Sequence, residues 1–185
     1  MQRERVGERR GWARRARRVA RWVQHVAPRG GSLSDLAWRR RHRGVVIALV
    51  AATLLLLAFG PSRGIGGGHV VLDVLPSLAL AGVALLPLGR RVRASTATMG
   101  LLAAAVVAIH FSGGATEAHF AVFVVLGVIT LYQDWVPFGI AVSVVTLHHA
   151  VLGALAPHEL FANPANIRSP LTWAAIHNTF ITAAT

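Results

Sequence analysis

The chain has 185 residues, 54% of them hydrophobic, with a formal net charge of +12 and no cysteine. Its mean hydropathy of +0.54 is too apolar for an ordinary soluble domain of this length and points to an integral membrane protein. Disulfides and thiolate metal centres are excluded by the missing cysteine.

The charge is concentrated at one end. Residues 1–43 hold 14 of the 19 arginines, and lysine is absent. In RRGWARRARRVARWVQHVAPRGG, apolar residues recur at Trp12, Ala16, Val19, Val23 and Val26, with arginine over the remaining surface. That spacing describes a basic amphipathic helix lying on anionic lipid headgroups. The competing reading is a tail whose arginines simply hold the N-terminus in the cytoplasm. Nothing specific supports a nucleic-acid partner. A cleavable signal peptide is not expected, because the first long apolar run starts only after residue 44. The stretch Ala27 to Asp35, APRGGSLSD, reads as a hinge. Residues 1–43 are thus a basic cytoplasmic tail and residues 44–185 a transmembrane domain.

A membrane helix needs ~20 mostly apolar residues, and six such stretches can be drawn. They are Gly44 to Gly60, Gly67 to Leu88, Ala94 to Phe111, Glu117 to Gln133, Val136 to Ala156, and a last one from Pro170 that is still running at Thr185. The expected class is an all-α six-helix transmembrane bundle. RRHR (Arg40 to Arg43) and RRVR (Arg90 to Arg93) place two connections in the cytoplasm. The odd spans then run outward. Tyr132 and Trp135 fit the inner aromatic belt and Trp173 the outer one. Asp134 is expected to cap span five, with Pro137 in its first turn.

With this topology, titratable groups gather in the outer half of the bilayer. His110 ends span three, His119 and Glu117 open span four, and His149 and His177 lie about two turns inside spans five and six. His69 and Asp73, one turn apart, enter span two from the same side. Ionisable groups within a membrane are costly, face the bundle interior by default and mark function. Two facing histidines can hold a b-type haem, and three with Glu117 can hold zinc, copper(II) or iron. Gly113, Gly114, Ser143, Gly153 and the many alanines leave room for a planar ligand. The alternative is a metal-free hydrogen-bond network that ties the helices together. On span five, Gly139, Ser143, Thr146, Ala150 and Gly153 read as the packing face. His149 flanks that face, and His148, ~100° away, points elsewhere. His25, His42 and His158 read as solvated, and Arg168 as a surface residue. RGIGGG is not a phosphate loop, since no strand precedes it and no lysine follows.

SGGATEAHFAVFVVLGVITLYQDWVPF, HHAVLGALAP and WAAIHNTF together resemble the N-terminal membrane-embedded sensor region of bacterial signalling proteins. Such regions precede methyl-accepting chemotaxis domains, diguanylate cyclases and histidine kinases. The resemblance covers about residues 105–180. It rests on Glu117, His119 and Phe120, on Tyr132, Asp134, Trp135 and Pro137, on His149, Gly153 and Pro157, and on Trp173 and His177. Many relatives carry a further histidine where this chain has Ala121. The resemblance implies signal input, a homodimer, and an output domain in cis on the cytoplasmic side.

The chain stops at ITAAT inside the sixth span, so a longer protein is expected to carry the enzymatic or adaptor activity. No catalytic residues are assigned: no nucleophile with its base, Walker loop or paired carboxylates occurs. The expected function is a sensory module whose outer site, haem b or a Cu, Zn or Fe ion, relays its state through the last helix. Its proposed ligands are His119, His149, His177, His110 and Glu117, with His69, Asp73 and His148 secondary. The rivals are a small membrane haem electron-transfer protein or oxidoreductase using the same histidines, and a metal transporter. A transporter calls for a polar path across the whole membrane, whereas the polar groups here stop at the outer half.

Overall fold

The structure, a computed structural model, describes residues 33–183. The basic amphipathic segment, His25 and the hinge up to residue 32 lie outside the described residues.

Helix α1 (Asp35–Ser62) starts where Ser34 accepts a hydrogen bond from the Ala37 backbone N–H at 3.3 Å. Asp35 in its first turn complements the helix dipole. The helix therefore begins before the expected span at Gly44. It carries the RRHR tract as helix, with no break at residues 43–44, and Pro61 lies in its last turn rather than beyond it. Helices α2 (Gly67–Leu85) and α3 (Arg90–Phe111) follow. Gly113 and Gly114, at φ +67° and +74°, then turn the chain sharply, a backbone region that glycine enters without steric cost.

The fourth apolar stretch is composite. A 3-10 turn (Thr116–His119) leads into α4 (Phe120–Ile129), and a second 3-10 turn (Thr130–Tyr132) ends it. Helix α5 (Trp135–Leu155) is followed by the short α6 (Pro157–Leu160) and α7 (Pro164–Arg168), then α8 (Pro170–Ala183). The described residues are all helix and connection, with no strand. Four helices, α1, α2, α3 and α5, are long and apolar enough to cross a membrane; the composite stretch is shorter, and α8 has 14 residues.

Helix α3 sits at the centre. It packs against α1, α2, α4 and α5, and α8 lies along α5. The main core joins Val45 and Leu49 of α1, Ala84 of α2, Ala97 and Leu101 of α3, Ile129, and Val145 of α5. A second cluster joins Leu56, Val70, Val74, Val107 and Phe111. Leu54, Leu55, Leu72, Leu147 and Leu155 point outward at 58–79% exposure. An apolar exterior of this kind suits lipid rather than water.

Two expectations about side-chain placement are corrected. His42 is buried, not solvated, and Tyr132 is a core residue at 1% exposure, not part of a belt. The cause is the early start of α1, which draws the arginine tract into the end of the bundle. Trp135 is half exposed, and Asp134 caps α5 through Oδ1, which accepts from the Val136 N–H at 3.0 Å.

Candidate functional site

The histidines expected to share one layer fall into two groups on different helices.

In the first group His119 and His149 are buried and His177 is half-buried. His119 comes from the 3-10 turn before α4, His149 from α5 and His177 from α8. Their ring centres are 5.7 Å (119–149), 5.5 Å (119–177) and 5.4 Å (149–177) apart. Phe161 stacks on His119 at 6.3 Å and lies 6.0 Å from His177. It reaches them because the Ala162 N–H donates to the Gly114 carbonyl at 3.0 Å, closing the α6–α7 loop onto the glycine turn. Phe161 carried no ligand-type signal in the sequence, and its place depends on that long-range bond.

Each ring is held in the same way. Nδ1 of His119, His149 and His177 lies 3.0, 2.9 and 2.8 Å from the carbonyl of the residue four earlier: Ala115, Val145 and Trp173. A carbonyl only accepts, so each Nδ1–H donates and each Nε2 is left as an acceptor. Nε2 of His119 and of His149 is buried with no hydrogen-bond partner. A metal-binding histidine is commonly oriented by such a backbone bond from its other nitrogen.

His148 does not point away. Its ring meets that of His149 edge-on at 5.6 Å, and its Nε2 is also buried and unpaired. The buried face of α5 is Pro137, Ala141, Val145, His149 and Gly153. Gly139, Ser143, Thr146 and Ala150, expected to pack, are exposed instead. His149 thus sits in the middle of the packing face. With α3, α4 and α8 all packed against α5, two adjacent positions both meet protein. Glu117 is exposed. On a 3-10 turn, residues two apart are ~120° from facing the same way, which separates Glu117 from His119.

The second group removes His110 from the first. His110 ends α3 facing α2, where its ring lies 5.7 Å from that of His69. Oδ2 of Asp73 is 3.1 Å from His69 Nε2 and 3.8 Å from His110 Nε2. Among the described residues, these three alone bring ligand atoms within 4.8 Å of one another. The ring centres of the first group are closely spaced, but its ring nitrogens do not converge to that degree.

The arginine-rich end of the bundle holds a third feature, not anticipated from sequence. A cavity of about 460 Å³ is lined by Arg39, Arg43 and Arg93 with Val46, Ile47 and Leu85, and His42 forms part of its wall. Trp38 stacks on His42 at 4.7 Å, and the guanidinium groups of Arg90 and Arg93 lie 5.6 and 5.1 Å from the Trp38 ring centre. Arginines and apolar side chains in one lining suit an anionic headgroup with its acyl chain.

Residues of this chain align over 167 positions, at 36% identity, with transducer protein Htr8 of Halobacterium salinarum. The alignment takes in 83% of this chain and 26% of the relative, so the chain spans about a quarter of the length of the curated relative it matches. No family model matches the chain, and no solved structure matches it significantly.

Proposed function

We propose that this chain is the membrane-embedded sensory input module of a signal-transduction protein, and that the His119–His149–His177 cluster is where the stimulus acts. The observation that carries the reading is the 36% identity to a transducer over most of the chain. In this reading residues 44–185 form a six-span unit in the inner membrane, with α4 and its flanking turns as the fourth span and α8 in the sixth. The N-terminus and the arginine-rich end face the cytoplasm, the lipid bilayer surrounds the outer leucines, and the module works as a homodimer with an output domain in cis.

The cluster is suited to signalling because it joins elements that could move separately. His119 stands on the turn after α3, His149 on α5 and His177 on α8, and α8 leads toward the arginine-rich end. A stimulus that binds one arrangement of the three rings better than another shifts the balance between arrangements by its differential affinity alone.

A transition-metal ion is the cofactor class that fits better. With metal–nitrogen distances of about 2.0–2.1 Å, three histidines around one ion put their ring centres roughly 5–5.5 Å apart, close to the 5.4–5.7 Å found. The ring nitrogens have to rotate inward to meet it. The ion would supply an electrophile for the unpaired Nε2 atoms of His119 and His149, and the residues that would hold it are His119, His149 and His177, without Glu117 or His110. Haem b fits less well, since a porphyrin ligated by two of these rings would run into the third ring and Phe161.

Two measurements test the proposal. Residues 1–185 fused to a transducer signalling domain, in a motile host lacking its own transducers, should give swimming responses to metal, redox or pH steps. A fusion silent to all of these would overturn the sensory reading. Metal analysis with a visible spectrum of the purified chain tests the cofactor: bound metal that falls in His149→Ala or His177→Ala by the share this cluster holds is expected. A Soret band would assign haem instead.

A further inference from the structure

We propose that His69, Asp73 and His110 form a separate binding site for a divalent transition-metal ion of the zinc class, at the end of the bundle away from the arginine tracts. Three observations carry the assignment.

The donors are of the right kind and number. Two imidazoles and one carboxylate form a set favoured by zinc and its borderline neighbours. Calcium and magnesium take oxygen ligands instead. With three protein ligands, the remaining positions on the ion are left to water.

The donors are already gathered. His69 and Asp73 are four residues apart on α2, so both project from one face of the helix, and His110 comes across from the last turn of α3. Asp73 Oδ2 stands 3.1 and 3.8 Å from the two Nε2 atoms. All three ligand atoms lie within 4.8 Å of one another. Ligands on one ion at about 2.0–2.2 Å are themselves roughly 3–3.5 Å apart, so side-chain rotation without backbone movement is enough to close the site.

The carboxylate oxygen faces both rings. Asp73 Oδ2 is a buried atom with no hydrogen bond, despite its closeness to both nitrogens. A cation between the three groups would take that oxygen and one nitrogen of each ring as ligands. His69 and His110 are exposed, which leaves an entry path from solvent. An ion held there would fasten the start of α2 to the end of α3. The site uses none of the three histidines of the buried cluster, and it stands whether or not that cluster binds metal.

The test is a titration of the full chain with Zn²⁺ and with Co²⁺, in detergent or lipid nanodiscs, after purification on a tag free of histidine. Calorimetry reads Zn²⁺ affinity, and visible absorption reads the Co²⁺ ligand field. A saturable site is expected that weakens by about tenfold or more in Asp73→Asn and in His110→Gln, losses of the size expected when metal coordination is disturbed. It should persist in His149→Ala. Asp73→Asn is nearly isosteric, and a far-UV spectrum and elution profile equal to wild type show that its loss of binding is not loss of fold. The proposal is overturned by a wild-type chain that takes up neither ion, by unchanged affinity in both variants, or by binding that disappears in His149→Ala and not in Asp73→Asn. The last result would move the metal to the buried cluster and leave the sensory reading standing.

Discussion

His42 Nδ1 lies 2.8 Å from the hydroxyl of Tyr132, across 90 positions of sequence, and both side chains are buried. Nε2 of the same ring is 2.9 Å from the Ala84 carbonyl. Because that carbonyl must accept, Nε2–H donates to it, and in the neutral ring Nδ1 accepts from the Tyr132 O–H. One imidazole thereby joins α1, the last turn of α2 and the turn after α4. Tyr132→Phe leaves Nδ1 buried without a donor, which costs about 1–3 kcal/mol. Thermal unfolding in detergent should show the loss. In a His42→Leu background the same tyrosine change should cost much less, and equal costs in both backgrounds would remove the coupling.

Asp134 has two roles that substitution can separate. Oδ1 caps α5 at Val136, while Oδ2 accepts from Arg91 Nε at 3.2 Å. Asp134→Ala loses both, and loss of the cap alone costs about 1 kcal/mol. Asp134→Asn keeps a capping oxygen and loses only the ion pair. With Arg91 69% exposed, that pair contributes about 0–1 kcal/mol and is screened by salt. The Ala variant should therefore unfold at lower temperature than the Asn variant, and the gap between Asn and wild type should narrow as salt is raised.

The positions of α2, α3 and α5 were legible in the sequence because long apolar runs bounded by arginine, glycine and proline leave few choices of element. Asp134 was legible for a similar local reason: an Asp just before an apolar run with proline at the third helical position is a helix start. Helix faces were not legible. When lipid and protein interior are both apolar, a stripe such as Gly139, Ser143, Thr146 and Ala150 carries no sign of which way it points, and here it is exposed while Ala141, Val145 and His149 are buried. His42 was misread because its neighbours are arginines, although Trp38 and Tyr132 reach it from other turns. The sequence also gave His110 and His119 one depth. Depth does not say which neighbour a side chain faces, and His110 faces α2.

Gly60 marks a close approach of α1 to α2 and α3. A Cβ built there would lie 2.5 Å from Val70 Cγ2 and 3.0 Å from Phe111 Cε2. Gly60→Ala must push these side chains back, and overpacking of this kind costs about 1–3 kcal/mol. Gly82, in α2, has nothing within 4 Å of the same position. Gly82→Ala should be neutral or stabilise by up to about 1 kcal/mol through helix propensity. Guanidinium or heat unfolding of the two variants in one detergent compares them directly; equal effects would mean that the α1–α2 contact yields freely.

His149 allows stability and function to be pulled apart. The residue is 1% exposed, and its Nε2 has no hydrogen-bond partner. In a chain without metal, that orphaned acceptor is a cost to the fold. His149→Leu fills much of the same volume and removes the acceptor, so its unfolding temperature should match or exceed that of wild type. His149→Ala leaves a cavity beside His119 and His177 and should lose about 2–4 kcal/mol, by analogy with other large-to-small core changes. Both variants should abolish the response of a signalling fusion, since neither keeps an imidazole between α5 and α8. A Leu variant that folds well and still responds would show that the cluster serves packing alone. A Leu variant destabilised as much as Ala would show that Nε2 is satisfied in the protein by a bound group, and metal analysis of the wild-type chain would then identify it.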